Sequence, residues 1–404
     1  MQQDNLDRRL HAYAEWRAKL VQTIQDFQAW LEQHDLASPE QELRIFETIE
    51  ALRKDRLTIA FVAEFSRGKT ELINALFFAH YGRRLLPSEA GRTTMCPTEL
   101  FYDQDEPRSY LRLLPIETRL QDRSIADFKH DPIHWTQIQL DTTNPQQISQ
   151  ALHEIVKTKQ VPLERAIELG LYDQANDPYF RAHGKAPGQV EVPHWRHALI
   201  SFPHELLKRG LVVLDTPGLN ALGNEPELTL SMLPASQAIL FLLGADTGVT
   251  RSDMEMWEHH VRAVRGQPNK NLVVVLNKID TLWDDLKDQE AVDATIESQR
   301  RASAQQLHVP IEQVFPLSAQ KALTAKVRDD AQLLENSRLP DLERFLSEQV
   351  LPAKQEIVRN SLVSSVGGLV NQNIMLLETA SRNPPNRWPN CAHCAARMPT
   401  SSCI

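Results

Sequence analysis

The sequence predicts an α/β fold: a mostly parallel sheet, with helical segments before and after it in the chain. Two observations carry this. Five short, nearly all-apolar runs at 57–62, 211–214, 238–243, 272–276 and 314–317 are separated by helix-like or loop-like sequence. Strands buried on both faces read this way. Before Arg56 and after Leu339 the apolar residues recur instead at the spacing of a helix.

In the first 55 residues, Leu6, Leu10, Tyr13, Leu20, Ile24, Phe27 and Leu31 recur at steps of three, four or seven, which places them on one helix face. Ser38-Pro39-Glu40-Gln41 marks a second helix start. Ser38 can cap, Pro39 suits the first turn, and Gln41 completes a capping box. Ile45, Ile49 and Leu52 extend the stripe. Spacing leaves two readings open: a helical hairpin covering an adjoining domain, or part of a stalk that pairs with a later segment. After the third apolar run, Ser252 with Glu255 three residues on predicts another helix start. The stretch 148–156 reads as a packing helix. Beyond Leu339, the residues Leu342, Phe345, Leu346 and Val350 share a face, and Pro352 is expected to interrupt it. The segment 363–377 reads as a surface helix rather than a membrane contact.

Composition narrows the classes. The 404 residues are 42% hydrophobic and 24% charged, with a net charge of −9 and no dominant basic block, so no nucleic-acid partner is expected. No apolar run approaches a membrane span, and the polar, charged start does not resemble a secretory signal. Three of the four cysteines lie in the last 14 residues, so the body does not depend on disulfides, which fits a cytoplasmic location. The tail from Ser381 has no periodicity. Its Cys391, His393, Cys394 and Cys403 lack a second spaced ligand pair, which argues against zinc.

The chemistry lies in four motifs. Ala63-Glu64-Phe65-Ser66-Arg67-Gly68-Lys69-Thr70 follows the first strand and precedes Glu71-Leu72-Ile73-Asn74-Ala75-Leu76, which reads as a helix. This is the strand–loop–helix setting of a phosphate loop, in which backbone N–H groups face the phosphates. Gly68 permits close approach, Lys69 reaches the β- and γ-oxygens, and the Thr70 hydroxyl serves Mg²⁺. Ala63 stands where the pattern has glycine, so an altered loop entry is expected. The second motif, Asp215-Thr216-Pro217-Gly218, closes an apolar strand. Asp215 would hold the magnesium site, and the Gly218 N–H would sense the γ-phosphate; the plain alternative is a strand ending in a turn. The third, Asn277-Lys278-Ile279-Asp280, supplies a carboxylate that can accept from guanine N1–H and its 2-amino group, a donor pair adenine lacks. Asn277 would brace the loop and the Lys278 stem pack over the base. In the fourth, Ser318-Ala319-Gln320, backbone N–H groups near Ala319 would meet guanine O6. Four such elements in order, each after its own strand, predict GTP and GDP as ligands of a P-loop NTPase G domain. A magnesium-binding switch threonine is expected between the first two motifs, with Thr94 preferred over Thr93 and Thr98.

The phrase from Phe65 to Leu76 resembles the phosphate loop and following helix of the dynamin family, and of its bacterial members in particular. Thr94-Met95-Cys96-Pro97 is similar to that family's switch, and the 121 positions from Thr94 to Asp215 match its enlarged G domains. The resemblance implies a large GTPase that dimerises through its G domains, self-assembles and often acts at membranes. It would place the protein in the cytoplasm or peripherally at the inner membrane, with membrane lipid as a further partner. It also implies a monovalent cation, K⁺ or Na⁺, held with the help of Ser66. Lys69, Thr94, Ser66 and Arg67 would then be the catalytic set, with Arg67 a candidate for stabilising transition-state charge; the plain alternative for it is a solvated surface arginine. Phe65 and Leu219 depart from the pattern, because neither can orient water where relatives carry glutamine. A binding-only switch or a remnant of a longer protein therefore stand as alternatives. The expected division is a helical segment at 1–55, a G domain at 56–335 with a long insertion near 100–204, a helical segment at 336–380 and an irregular tail at 381–404.

Overall fold

A computed structural model describes residues 3–382 apart from 35, 37, 54, 83, 87–95, 122, 173–186, 217–231, 234–235, 263–270, 285 and 287. The chain forms two compact units, one of residues 1–17 and 55–356, the other of residues 18–54 and 357–404.

The larger unit is built on a nine-stranded sheet of order β11-β10-β9-β1-β8-β2-β7-β3-β4. Its strands are β1 (Leu57–Ala63), β2 (Thr98–Phe101), β3 (Tyr110–Pro115), β4 (Thr136–Gln139), β7 (Trp195–Ser201), β8 (Leu211–Asp215), β9 (Ala238–Gly244), β10 (Asn271–Asn277) and β11 (Val314–Pro316). A separate antiparallel hairpin pairs β5 (Thr158–Pro162) with β6 (Gln189–Pro193). Five of the eight junctions in the large sheet are parallel, including every one from β11 to β8. The predicted mostly parallel sheet is therefore present. The interval 100–204, in which no chemistry is legible, supplies β3, β4 and β7 to the same sheet, joined mostly by antiparallel pairing.

Strand alternation sorts the core into two layers. Ile59, Phe61 and Ala63 of β1 face one cluster with Leu72, Phe77 and Leu323. Ala60 and Val62 face the other with Phe241, Trp257 and Ile296. In chain order the helices include α1 (Gln3–Gln33), α2 (Pro39–Arg53), α3 (Lys69–Ile73), α4 (Ile125–Lys129), α5 (Pro145–Leu152), α6 (Arg251–Met256), α7 (Gln289–Leu307), α8 (Ala319–Arg328), α9 (Leu339–Phe345) and α10 (Leu351–Arg382). The predicted packing stretch at 148–156 is α5 and the turn after it, with Ile148, Leu152 and Ile155 buried.

Two local expectations are corrected. The helix after β9 is capped by Thr250 with Asp253 in a reciprocal capping box, not by Ser252 with Glu255. The sequence offers the same spacing twice, and burial of Asp253 selects the earlier register. Pro352 does not stop the C-terminal helix. α9, a π-helical turn at Leu346–Val350 and α10 follow without a break, so Pro352 lies inside a continuous helix, and the wider π turn immediately before it makes room for the ring and the missing N–H.

In the smaller unit, Ser38 and Gln41 exchange backbone and side-chain hydrogen bonds at the start of α2, as the sequence predicts. Ile24 and Leu31 of α1, Ile45, Ile49 and Leu52 of α2, and Val358 and Leu369 of α10 are its buried apolar residues.

Both margins of the large sheet are short. β11 has three residues, ends in Pro316, and has the Val314 carbonyl taken by Arg300 Nε of α7 at 2.8 Å. β4 is four residues long, Thr-Gln-Ile-Gln, and mostly exposed.

Candidate functional site

Register places the four motifs on one edge. Phe61 of β1 lies beside Asp215 of β8, Ala63 beside Leu242 of β9, Gly244 beside Asn277 of β10, and Leu276 beside Pro316 of β11. The loops leaving the carboxyl ends of these strands therefore emerge together, with β1 at the point where chain direction across the sheet reverses. That is where open α/β sheets bind ligands.

The phosphate loop turns on two left-handed residues, Ser66 (φ 62°) and Gly68 (φ 82°). A Cβ on Gly68 would lie 2.3 Å from Asn277 Nδ2, so glycine is required for space as well as for φ. Ala63, by contrast, is the buried last residue of β1, in strand conformation. Glu64 accepts from the Phe65 N–H at 2.9 Å, and Phe65 itself is 43% exposed.

Asn277 joins the two ends of the site. Its Nδ2 donates to the Arg67 carbonyl at 2.8 Å, and its Oδ1 accepts from the Ala319 N–H at 2.9 Å. One amide side chain thus ties the phosphate loop to the fourth motif. The Ala319 N–H is used here rather than facing a base. Ser318 Oγ accepts from the Lys321 N–H and donates to Asp280 Oδ1 at 2.6 Å. Among the described residues, the Gln320 N–H in the first turn of α8 has no hydrogen-bond acceptor. Lys278 is left-handed (φ 66°) and its Nζ pairs with Asp246 Oδ2 at 3.0 Å.

Lys69 and Thr70 open α3, and the Lys69 ammonium donates to Asp215 Oδ1, with both side chains nearly buried. In the same turn, Glu71 takes a two-pronged contact from Arg84, with Nε at 2.7 Å and Nη2 at 2.5 Å. Fully buried Asn74 accepts from the Leu85 and Leu86 N–H groups, each at 3.1 Å. These contacts fix residues 84–86. Thr93 and Thr94 follow in a stretch outside the described residues, as do Gly218, Leu219 and the tail cysteines with His393. Thr98 is described: its hydroxyl donates to the Cys96 carbonyl at 3.2 Å, and it lies beside Asp215 in the β2–β8 register.

Arg67 is not a solvated surface arginine. It is 8% exposed and its guanidinium is bound by Asp253, Thr247 and Thr250. Stabilising transition-state charge would require it to leave these partners. The sequence gives no pointer to them, because they lie 180 to 186 positions away.

The donor set fits Mg²⁺. The Thr70 hydroxyl, in the first turn of α3, and the Asp215 carboxylate, at the end of β8, are hard oxygen donors. Mg²⁺ beside phosphates takes only one or two protein oxygens. No cluster of three or more His, Cys, Asp or Glu suited to a metal occurs among the described residues, and this ion does not need one.

The isoniazid-induced protein IniA of Mycobacterium tuberculosis is 32% identical over 197 residues, 46% of this chain and 28% of that protein. A bacterial dynamin-like protein of Nostoc punctiforme is 22% identical over 324 residues, 76% of this chain and 39% of that protein. The chain thus spans well under half the length of these two relatives. A solved chain from an oligomerised bacterial dynamin pair superimposes with a TM-score of 0.49 at 16% identity, over 92% of this chain and 49% of that one. The sequence model of the dynamin family matches residues 59–279, more than half of the chain and the whole interval from β1 to the start of the guanine motif. The chain belongs to the dynamin family.

Proposed function

We propose that the chain binds GTP and GDP at this edge and hydrolyses GTP to GDP and phosphate. The observation that carries the reading is the Asn277 amide, which holds the phosphate loop and the loop after β11 at fixed separation. Such a brace serves a ligand with phosphates at one end and a base at the other. In this reading the backbone from Glu64 to Thr70 cradles the phosphates and Lys69 exchanges Asp215 for the β- and γ-oxygens. Thr70, Asp215 and Thr94 hold Mg²⁺, which when bound neutralises charge developing on the phosphate oxygens. Asp280, oriented by Ser318, accepts from guanine N1–H and the 2-amino group, the Gln320 N–H meets O6, and the Lys278 stem lies against the base. Ser66 assists with a monovalent cation, and Gly218 follows the γ-phosphate. Water attacks in line, with positioning and electrostatics supplying the acceleration.

Family membership supports a homodimer through the G domains, self-assembly, and a cytoplasmic protein peripheral to a membrane lipid surface. No described helix is long and apolar enough to cross a membrane. A binding-only switch is the second reading, favoured by exposed Phe65, an apolar side chain that cannot orient water.

Steady-state GTP hydrolysis against protein concentration, with Mg²⁺ and K⁺, separates the two. A specific rate that climbs with concentration supports dimer-completed turnover. Tight GTP binding with a flat rate equal to that of Lys69→Ala supports the switch. No measurable GTP binding sinks both.

A further inference from the structure

We propose that Asp253, with Thr247 and Thr250, is a positioning clamp that acts through Arg67 to hold the phosphate loop in its ligand-ready shape. The inference rests on the nucleotide reading above and adds residues that the four motifs do not contain.

The clamp grips one loop residue by both its side chain and its backbone. Arg67 Nε donates to Asp253 Oδ1 at 3.0 Å and Nη2 to Asp253 Oδ2 at 2.7 Å, a two-pronged contact. Nη1 donates to Thr247 Oγ1 at 2.8 Å and Nη2 to Thr250 Oγ1 at 3.1 Å. All three guanidinium nitrogens are thereby engaged. The Arg67 carbonyl meanwhile accepts from Asn277 Nδ2. Asp253 is fully buried and is itself fixed by the Thr250 N–H at 2.9 Å and hydroxyl at 2.7 Å. The next two residues are left-handed Gly68 and Lys69, so the clamp sets the path of the amides that would face phosphate. The same connection after β9 carries Asp246, which holds Lys278. One short stretch therefore supports the phosphate loop and the base loop together.

A buried charge pair of this kind is a poor device for stability, because desolvation offsets its Coulombic gain. Its value lies in geometry. A loop whose curvature is already set loses less entropy when ligand arrives, so the clamp should act on affinity. Lysine cannot replace Arg67, because an ammonium lacks the planar fork.

The test uses the full chain with Asp253→Asn, Thr247→Val and Arg67→Lys. Amide hydrogen exchange across residues 65–70 is read without nucleotide, and fluorescent GDP is titrated for both Kd and stoichiometry. Asp253→Asn and Arg67→Lys should speed exchange in the loop and weaken GDP by about tenfold at full stoichiometry. Thr247→Val, a gentler change, should weaken it by about threefold. Unchanged exchange and Kd in all three variants overturn the clamp. So does lower stoichiometry at unchanged Kd, which marks a merely structural role. If the variants speed exchange while the wild-type protein binds no GDP, the clamp stands and the nucleotide reading falls.

Discussion

The two halves of the large sheet handle charge in opposite ways. From β11 to β8 the strands are nearly all apolar, and the polar residues begin where the strands stop: Lys69, Asp215, Asn277, Asp280 and Ser318. From β2 to β4 the charged groups sit within the strands. Buried His197 of β7 contacts Glu99 of β2 at 3.1 Å, and Lys129 reaches the same carboxylate at 2.5 Å. Buried Arg196 donates to the Thr118 and Arg123 carbonyls at 2.8 and 3.1 Å. In the first half the polar groups are paired beyond the strand ends, at the edge where we propose that a ligand binds. In the second the pairing lies within the sheet itself and joins the insertion's strands and helices.

The comparison can be broken at four points. Lys69→Ala should have the largest effect, removing measurable GTP binding while the fold persists; near-normal affinity by calorimetry would overturn the phosphate-loop assignment. Asp280→Asn should next lower the preference for guanine over xanthine nucleotides by about 100-fold, read by competition between GTP and xanthosine triphosphate. Unchanged competition would mean that Asp280 does not read the base. In the other half, Phe128→Ala should cost about 3–5 kcal/mol of stability. Phe128 is fully buried and lies beneath the Arg123 and Arg196 guanidinium groups. Nucleotide affinity per folded molecule should be unaffected, and a large change in Kd would show that the halves are not independent.

The smallest effect concerns acid. Burial alone would raise the Glu99 carboxyl, but the hydrogen bond from His197 and the charges of Lys129 and His197 outweigh it and hold the group down at about 2. The folded value lies below the unfolded one of 4.5. The stabilisation is therefore complete above that pH and is lost as pH falls towards 2. Urea denaturation between pH 6 and 3 should show wild type losing stability more steeply than Glu99→Gln. Parallel curves would remove Glu99 from the account.

The same contrast governs what the sequence reveals. β1, β8, β9 and β10 are legible because uninterrupted apolar runs end in Asp, Asn or a glycine turn. β7 is just as buried, yet Arg196 and His197 break its apolar pattern, and β4 is a polar strand with no hydrophobic run. Lys69, Asp215 and Asp280 are readable from local spacing. The Arg67 partners are not, because a hydrogen bond between residues 67 and 253 leaves no trace in either neighbourhood. Pro352 misleads for a different reason: a π-helical turn at Leu346–Val350 carries the helix past it, and sequence spacing does not reveal that turn.

The short margins of the sheet bear on behaviour in a crowd. A protein that gathers many copies of itself brings strand edges into frequent collision, and a long open edge would invite cross-chain pairing and irreversible aggregation. Here β11 offers three residues, a proline and a carbonyl already taken by Arg300, while β4 offers a short polar strand. Neither margin is a template for fibril growth, so the self-assembly we propose would have to use other surfaces.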